Sequence, residues 1–283
     1  MTKFIAEISS NHNNDLERSL KLIDAANYAG FDAVKFQMFK IDELFSEEAF
    51  TAKPFLRDRK NWELDKSFIP VLAKYAHDLE LEFSCTPFFL DAVEFLAPYC
   101  DFLKIASYEL LWLDLARKCA ATGLPLIIST GMADLMEVDS AVSNIKLNHP
   151  EIELTLLHAV SSYPAPVQEC NLAAIQSLAT RYGIGVGWSD HTVSSGVINR
   201  AVHKYGAVAV EMHIDSDGTG YEFDAGHCWL PDDAKKLISS IREGQSADGD
   251  GVKQPVSAEK VERVWRADPS DGLRPLMEIR KSI

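Results

Sequence analysis

The stretch from Ile184 to His213 reads IGVGWSDHTVSSGVINRAVHKYGAVAVEMH and contains one complete strand–helix–strand unit. Two short β-favouring runs, 184–188 and 208–213, flank a segment with apolar residues at helical spacing. His191 follows the first run, and His213 ends the second run 22 positions later. If the two strands are neighbours in a parallel barrel, both imidazoles point into the same mouth, where they could bind a divalent metal.

Strand–helix alternation of this kind extends along most of the chain. Short apolar runs predict eight strands, at 4–8, 33–36, 81–85, 102–105, 126–129, 154–158, 184–188 and 208–213. Amphipathic patterns predict helices at 14–30, with Asn14 as its cap, and at 68–79, 90–96, 110–121, 135–145, 172–181, 197–203 and 234–241. Strands this apolar are buried on both faces, as parallel sheets require. Eight such units predict an α/β fold, the (β/α)8 TIM barrel, and the charged, aromatic stretch 38–66 is expected to form a loop or cap over one rim.

Other arrangements and functions are disfavoured by motifs and composition. No GxGxxG motif follows a predicted strand, which argues against an open dinucleotide-binding sheet. The 283 residues carry a net charge of −14 with the acids spread along the chain, which argues against a nucleic-acid partner. Five cysteines without a CxxC pair indicate neither a disulfide framework nor a structural zinc site. With no signal peptide and no membrane-length apolar run, a cytoplasmic protein without a membrane partner is expected.

Polar side chains stand at or just after the end of nearly every predicted strand. They are Glu7, Asn11, Lys35, Gln37, Ser84, Thr86, Lys104, Ser107, Ser129, Thr130, His158, Ser161, Tyr163, Ser189, His191 and His213. Catalytic groups of such barrels come from these strand ends, so their convergence predicts a site for a polar substrate. Lys35 and Lys104 end otherwise apolar strands; they either extend to solvent or clamp a phosphate or carboxylate, with neighbouring hydroxyls as further donors.

Residue type alone does not fix the roles of His191, His213 and Glu7. Two imidazoles do not complete a metal site, so a carboxylate, water or substrate oxygen must complete it. Such a mixed set suits manganese, magnesium or iron better than closed structural zinc. Glu7 lies beside Lys35 on the neighbouring predicted strand, which allows either acid–base work or a simple ion pair.

Several segments in order carry a family pattern. They are Ala6-Glu7-Ile8 with Asn11-His12, Ala33-Val34-Lys35-Phe36-Gln37, Ser84-Cys85-Thr86-Pro87-Phe88, Lys104-Ile105-Ala106-Ser107-Tyr108-Glu109, Ser129-Thr130-Gly131-Met132, Leu156-Leu157-His158, Tyr163-Pro164, Ser189-Asp190-His191-Thr192 and Glu211-Met212-His213. Together they resemble the sialic acid synthase (NeuB) family of nonulosonic acid synthases. The resemblance extends in order from about residue 3 to residue 243.

The resemblance implies a TIM barrel that condenses phosphoenolpyruvate with an N-acyl hexosamine, giving a nine-carbon 2-keto sugar acid and phosphate. It implies that phosphoenolpyruvate is bound by Lys35, Thr86, Lys104, Ser107, Ser129, Ser161 and Ser189. It further implies that His191 and His213 bind a divalent metal, manganese or magnesium, and that Gln37, Tyr163 and Asp224 contact the acceptor sugar. Glu7 would be the acid–base residue near the reacting carbon.

The chain departs from the family pattern in two places. Family members usually carry an antifreeze-like domain after the barrel, whereas here we expect a synthase domain at 1–243 and then a linker and short tail at 244–283, including a helix at 257–264 capped by Ser257. A homodimer, or a separate partner protein that replaces the missing domain, is therefore expected. Between His213 and Leu230, Tyr221-Glu222-Phe223 replaces a Gly-Pro-containing turn, and His227 has no clear equivalent.

Two other functions stay open at this point. One is condensation of phosphoenolpyruvate with another aldose or an aldose phosphate, but a second phosphate needs extra cations, and the stretch from Ile214 to Trp229 contains no lysine or arginine. The other is a non-catalytic barrel that serves as a subunit in a polysaccharide pathway, since a fold alone does not guarantee function.

Overall fold

The computed structural model describes residues 1–282, which form a closed barrel of eight parallel strands in the order β1 to β8. The strands are β1 Lys3–Glu7, β2 Ala33–Met38, β3 Glu82–Pro87, β4 Phe102–Ile105, β5 Leu126–Ser129, β6 Leu154–Ala159, β7 Gly185–Asp190 and β8 Ala209–His213. Each strand pairs with the next along the chain, and β8 closes the barrel by pairing with β1. The predicted TIM barrel is confirmed.

Helices between successive strands cover the outside of the barrel. In chain order, the helices of the described residues are α1 Leu16–Ala29, α2 Ile41–Leu44, α3 Glu47–Ala52, α4 Ile69–Asp78, α5 Leu90–Leu96, α6 Leu113–Ala120, α7 Leu135–Asn148, α8 Ala173–Tyr182, α9 Ser195–His203, α10 Tyr221–Asp224, α11 Pro231–Ala247, α12 Lys260–Arg263 and α13 Met277–Arg280. None of the helices within residues 1–282 combines the length and the apolar character needed to cross a bilayer.

Two predicted helix caps are wrong. The side chain of Asp15, not Asn14, caps α1 by accepting a hydrogen bond from Arg18 N at 2.9 Å. Asn14 adopts a left-handed backbone, and its side chain instead accepts from Asp65 N. Ser257 lies inside a 3-10 turn, Ser257–Glu259, that precedes α12, so its side chain does not cap a helix.

The segment 38–66 is folded rather than an open loop. It contains α2, α3 and a 3-10 stretch, Pro54–Trp62, and its buried side chains Phe39, Ile41, Phe50 and Leu56 form a small apolar cluster of their own. The Trp62 ring packs 4.7 Å, centroid to centroid, from the ring of Tyr221 in α10. The segment therefore reaches the loop that follows β8, at the C-terminal ends of the strands.

Side chains inside the barrel form an apolar layer and, nearer the mouth, a polar layer. The apolar layer consists of Ile5, Ala33, Phe102, Ile127, Leu157 and Ala209. Because side chains alternate along a strand, the next inward position lies two residues further on. Those positions hold Glu7, Lys35, Lys104, Ser129 and Glu211 on five of the strands. The barrel therefore places these side chains together at its C-terminal end, where TIM barrels carry their active sites.

The chain divides into two compact units, and the first, Met1–Glu243, contains the whole barrel. The second begins at Gly244 and contains α12 and α13. Within it, Asp268 accepts backbone hydrogen bonds from Ser270 N at 2.9 Å and Met277 N at 2.7 Å. These bonds fix the turn between the two short helices.

Candidate active site

A buried ion pair between Glu7 and Lys35 lies at the ends of β1 and β2. The two residues are register partners, and both side chains are fully buried. Glu7 Oε1 accepts hydrogen bonds from Ser9 N at 2.8 Å and from Gln37 Nε2 at 3.2 Å. Lys35 Nζ also donates to Thr86 Oγ1 at 3.1 Å. The β1–β3 side of the mouth therefore presents a cation, a carboxylate and a hydroxyl in one network.

A second buried lysine lies on β4, and a carboxylate from β8 stands between the two lysines. Lys104 Nζ donates to Ser129 Oγ at 2.7 Å. Glu211 Oε2 is 3.7 Å from Lys104 Nζ and 3.9 Å from Lys35 Nζ, and Glu211 Oε1 accepts from Ser189 Oγ at 3.2 Å. The sequence analysis quoted Glu211 only as a neighbour of His213. The period-2 alternation on β8 is the signal that places it in the site.

Burial and mutual contact set the charges of this cluster. Burial lowers the pKa of Lys35 to about 8 against the opposing effect of Glu211, and burial also lowers the pKa of Lys104. Burial alone would raise the pKa of Glu211, but the nearby lysines outweigh it and bring that pKa to about 2. At neutral pH Lys35 is therefore still mostly cationic, although burial brings its pKa close to that pH.

This charge state predicts a pH dependence. Lys35 is charged below about pH 8 and neutral above it, so its attraction for an anionic substrate is lost as the pH rises. We expect kcat/KM for an anionic substrate to fall about tenfold per pH unit on the alkaline side, since kcat/KM reports the pKa of the free enzyme. Steady-state kinetics of the wild type and of Lys35→Arg check this. An alkaline limb that persists unchanged in Lys35→Arg would assign the titration to another group.

Three serines and a glycine form a hydroxyl-rich corner next to Lys104. Gly131 N donates to Ser107 Oγ at 3.0 Å. A Cβ at Gly131 would overlap Ser161 Oγ and lie 2.8 Å from Ser107 Oγ. Ser129 ends β5 two residues earlier and accepts from Lys104. The corner therefore needs glycine at position 131, because a Cβ there would occupy the space that both hydroxyls use.

We expect Gly131→Ala to displace both hydroxyls and to lower kcat/KM for an anionic substrate about 100-fold, as misplacement of binding groups by about 1 Å can do. Gly196→Ala is the matched control, because its Cβ would meet only Ser194 Oγ, at 3.8 Å. Kinetics and thermal unfolding of both variants provide the measurement. Equal, small effects at the two positions would contradict a binding role for this corner.

His191 and His213 lie side by side at the mouth, with ring centroids 5.3 Å apart, and both are buried. His191 Nδ1 donates to Val160 O at 2.7 Å, and His213 Nδ1 lies 2.7 Å from Glu222 Oε2. These contacts orient each ring and leave Nε2 of each available as a ligand. Burial, with His213 adding to it, lowers the pKa of His191 to about 3, which keeps that imidazole neutral. The pair therefore fits a divalent metal ion.

The predicted acceptor residues have different surroundings. Gln37 contacts Glu7 in the polar network, and the Tyr163 ring lies 4.2 Å from the His191 ring with part of its surface exposed. Asp224 ends α10 and is exposed, whereas Glu222, two residues earlier, is buried against His213. Around His213 the structure thus brings in Glu222, a residue that the sequence analysis did not assign.

These features agree with comparisons with known proteins. A family model described as the NeuB family matches residues 22–253. The chain belongs to the NeuB family. It is 38% identical over 273 residues to the N,N'-diacetyllegionaminic acid synthase of Legionella pneumophila, which covers 90% of this chain and 76% of that protein. A pseudaminic acid synthase of Helicobacter pylori is 30% identical over 259 residues, covering 88% of this chain and 76% of the relative.

A solved structure of the NeuB type has the same barrel. The N-acetylneuraminic acid (sialic acid) synthetase of Leptospira borgpetersenii, determined in complex with citrate, superposes with a TM-score of 0.82 at 31% identity, over 92% of this chain and 90% of that one. The NeuB-family relatives are named as synthases of nonulosonic acids, so this chain is a phosphoenolpyruvate-dependent sugar-acid synthase. NeuB-family enzymes are generally metal-dependent, and a cluster of possible ligands surrounds His213.

Two side chains that the NeuB resemblance left without a role hold the histidine-bearing loops in place. Asp190 accepts from Trp188 Nε1 at 3.0 Å, from Thr192 Oγ1 at 2.7 Å and from Trp229 Nε1 at 3.2 Å. Asn11 Oδ1 accepts from the backbone amide of Glu222 at 3.2 Å. Asp190 therefore ties the end of β7 to the loop after β8, and Asn11 ties the β1 loop to α10.

His158 is a predicted strand-end residue that lies outside the site. It occupies an outward position on β6, where His158 Nε2 lies 2.9 Å from Cys170 O and its ring packs against Trp188. The inward neighbours of His158 are Leu157 and Ala159, and neither has a polar side chain. Polar character alone therefore did not indicate which way this side chain points.

Proposed function

We propose that this chain condenses phosphoenolpyruvate with an unphosphorylated N-acyl hexosamine, of the N-acetylmannosamine type, to give a sialic-type acid and phosphate. The proposal includes a divalent ion, manganese or magnesium, held by His191 and His213. The observation that carries it is that two buried lysines and the two histidines open into one barrel mouth. The first pair suits an anion, and the second pair suits a metal.

Phosphoenolpyruvate brings a phosphate and a carboxylate into a chain whose net charge is −14. Lys35 and Lys104 provide the local positive charge, with Thr86 and Ser129 already hydrogen-bonded to them. The hydroxyls of Ser107, Ser161 and Ser189 supply further donors in the proposal. Fixed cations and dipoles of this kind stabilise charge that develops on a departing phosphate.

The reaction forms one carbon–carbon bond and one carbon–oxygen bond to water, and it breaks one carbon–oxygen bond to phosphate. The vinyl carbon of phosphoenolpyruvate bonds to the aldehyde carbon of the sugar, whose oxygen takes up a proton. Water then adds to the adjacent carbon, and phosphate leaves. Glu7, paired with Lys35 and bonded by Gln37, orients that water and takes its proton. The metal, when bound, supplies Lewis acidity toward the aldehyde oxygen.

The charges near β8 favour an acceptor without a phosphate. The loop from Ile214 to Trp229 contains no lysine or arginine. Arg18 reaches this loop from α1, but its guanidinium is already paired with Asp215 at 2.6 Å and with Asp217 at 3.1 Å. The rings of Trp62, Tyr221 and Tyr163 lie around the mouth instead. Aromatic walls with a few polar groups are the usual lining of a small-molecule site.

The test is phosphate release from phosphoenolpyruvate with manganese and a panel of acceptors. The panel contains N-acetylmannosamine, a diacetamido hexose, an N-acetyl hexosamine 6-phosphate and an unsubstituted aldose phosphate. We expect release only with an acceptor, and with the unphosphorylated N-acyl sugars rather than the phosphorylated ones. A preference for either phosphorylated sugar would contradict the proposed acceptor class. Phosphoenolpyruvate binding without release from any acceptor would contradict the proposed reaction.

A further inference from the structure

Four possible metal ligands, His213 among them, lie close together at the end of β8 and in the loop that follows it. His213 Nδ1 lies 2.7 Å from Glu222 Oε2, His227 Nε2 lies 3.7 Å from it, and Cys228 Sγ lies 3.9 Å from it. One ligand atom from each of the four residues lies within 4.8 Å of the others. All four side chains are buried. The cluster therefore combines two imidazoles, a carboxylate and a thiol in a space about the size of one coordination sphere.

The backbone brings these residues together through two short-range features. Gly226 has a φ of +91°, and the left-handed turn there returns the chain toward the barrel directly after α10. Trp229 N then donates to His213 O at 2.8 Å, and Asp215 N donates to Trp229 O at 3.0 Å. The segment that carries His227 and Cys228 is thus fixed against the end of β8.

One buried nitrogen of the cluster has no hydrogen-bond partner among the described residues, and the thiol of the cluster accepts a hydrogen bond from a neighbouring side chain. His227 is 5% exposed, and no hydrogen-bond partner within residues 1–282 reaches its Nδ1. Asn11 Nδ2 donates to Cys228 Sγ at 3.3 Å and to Ile214 O at 3.0 Å. Hydrogen bonds from a second layer of residues commonly orient metal ligands in this way. A compact, buried set of four possible ligands, with one histidine whose hydrogen bonding is incomplete and a thiol that Asn11 orients, is the observation that points to a metal site.

We propose that His213, Glu222, His227 and Cys228 form a metal site for a divalent ion of the zinc class, sharing His213 with the His191 centre. Imidazole, carboxylate and thiolate ligands in a compact four-residue set suit tetrahedral zinc, whereas magnesium and manganese prefer oxygen ligands. The site differs from the proposed catalytic centre because it uses Nδ1 of His213 and does not include His191. Binding of the ion would release the proton that His213 Nδ1 shares with Glu222 and the thiol proton of Cys228. A hydrogen-bonded network without an ion is the alternative, and the thiol of Cys228 distinguishes the two.

Cobalt(II) reports a thiolate ligand by a charge-transfer absorption band in the near ultraviolet, so the test uses cobalt titration of the full chain after chelator treatment. We expect this band in the wild type and in His191→Ala. We expect Cys228→Ser to lose the band and to bind zinc about 10- to 100-fold more weakly, an effect of the size seen when ligand shells are altered. Cys170→Ser, in which a buried thiol donates only to Pro166 O, is the matched control and should keep the band.

Two results would overturn the proposal. One is the absence of a thiolate band in the wild type at saturating cobalt. The other is a band that Cys228→Ser retains and His191→Ala loses. His227→Gln provides a second variant, expected to weaken zinc binding with the band shifted rather than lost, and it keeps the test usable if Cys228→Ser does not fold. Because the readout is a spectrum of the metal, failure here is separate from failure of phosphate release with manganese.

Discussion

Replacing His191 with alanine should reduce acceptor-dependent phosphate release by at least about 1000-fold, because a Lewis-acid metal contributes several kcal/mol to such reactions and each 1.4 kcal/mol is a factor of ten. His191 is one of the two imidazoles whose Nε2 atoms are left available at the mouth, and its Nδ1 is already committed to Val160 O. Removing the ring should leave His213 as the one remaining histidine ligand of the proposed catalytic metal. Initial rates with manganese at saturating phosphoenolpyruvate measure the effect.

His203→Ala is the control for this prediction, since His203 is an exposed histidine in the last turn of α9. It should keep wild-type rates. The barrel of His191→Ala should stay folded, because the lost hydrogen bond to Val160 O contributes only about 1 kcal/mol. Manganese binding should weaken together with the rate. The electron paramagnetic resonance signal of the free ion measures that binding. Activity within about tenfold of wild type would exclude His191 as a required ligand for catalysis.

The sequence could predict the barrel and the position of two lysines at strand ends because both depend on local patterns. Apolar runs at regular spacing define parallel strands that are buried on both faces. A lysine at the end of such a run has to be either at the rim or inside, and the apolar layer two residues before Lys35 and Lys104 shows that both are inside. The predicted strand ends lie within about two residues of the observed ends. Such shifts do not change which side chains point inward, because inward and outward positions alternate along a strand.

Side chains on the loop after β8 could not be predicted in the same way. Counting positions from His213 leads to Asp224, but α10 is a single turn that buries Glu222 and exposes Asp224. His227 and Cys228 reach His213 only because of the backbone at Gly226 and the pairing of Trp229 with the end of β8. No periodic pattern encodes such a turn. The position of Glu211 was readable from the strand, but its contact with two lysines depends on barrel closure.

Replacing Lys104 with methionine should lower kcat/KM for phosphoenolpyruvate about 100- to 1000-fold, the loss typical when one preorganised charge-stabilising donor is removed. The side chain is buried, and its Nζ reaches Ser129 Oγ and lies 3.7 Å from Glu211 Oε2. Methionine has nearly the same shape without the charge. Lys74→Met is the control, since Lys74 is exposed and pairs only with Asp78 on the surface of α4.

The same substitution also leaves Glu211 with Lys35 as its one remaining buried cation, 3.9 Å away, so stability and catalysis have to be separated. Breaking a buried pair by removing one partner costs about 3–5 kcal/mol, whereas replacing both partners with apolar residues costs little. We therefore expect Lys104→Met to lower the free energy of unfolding, and the double variant Lys104→Met with Glu211→Leu to recover most of it. Both should stay equally poor in kcat/KM. If the double variant regained activity along with stability, Lys104 would act through the fold and not on the substrate.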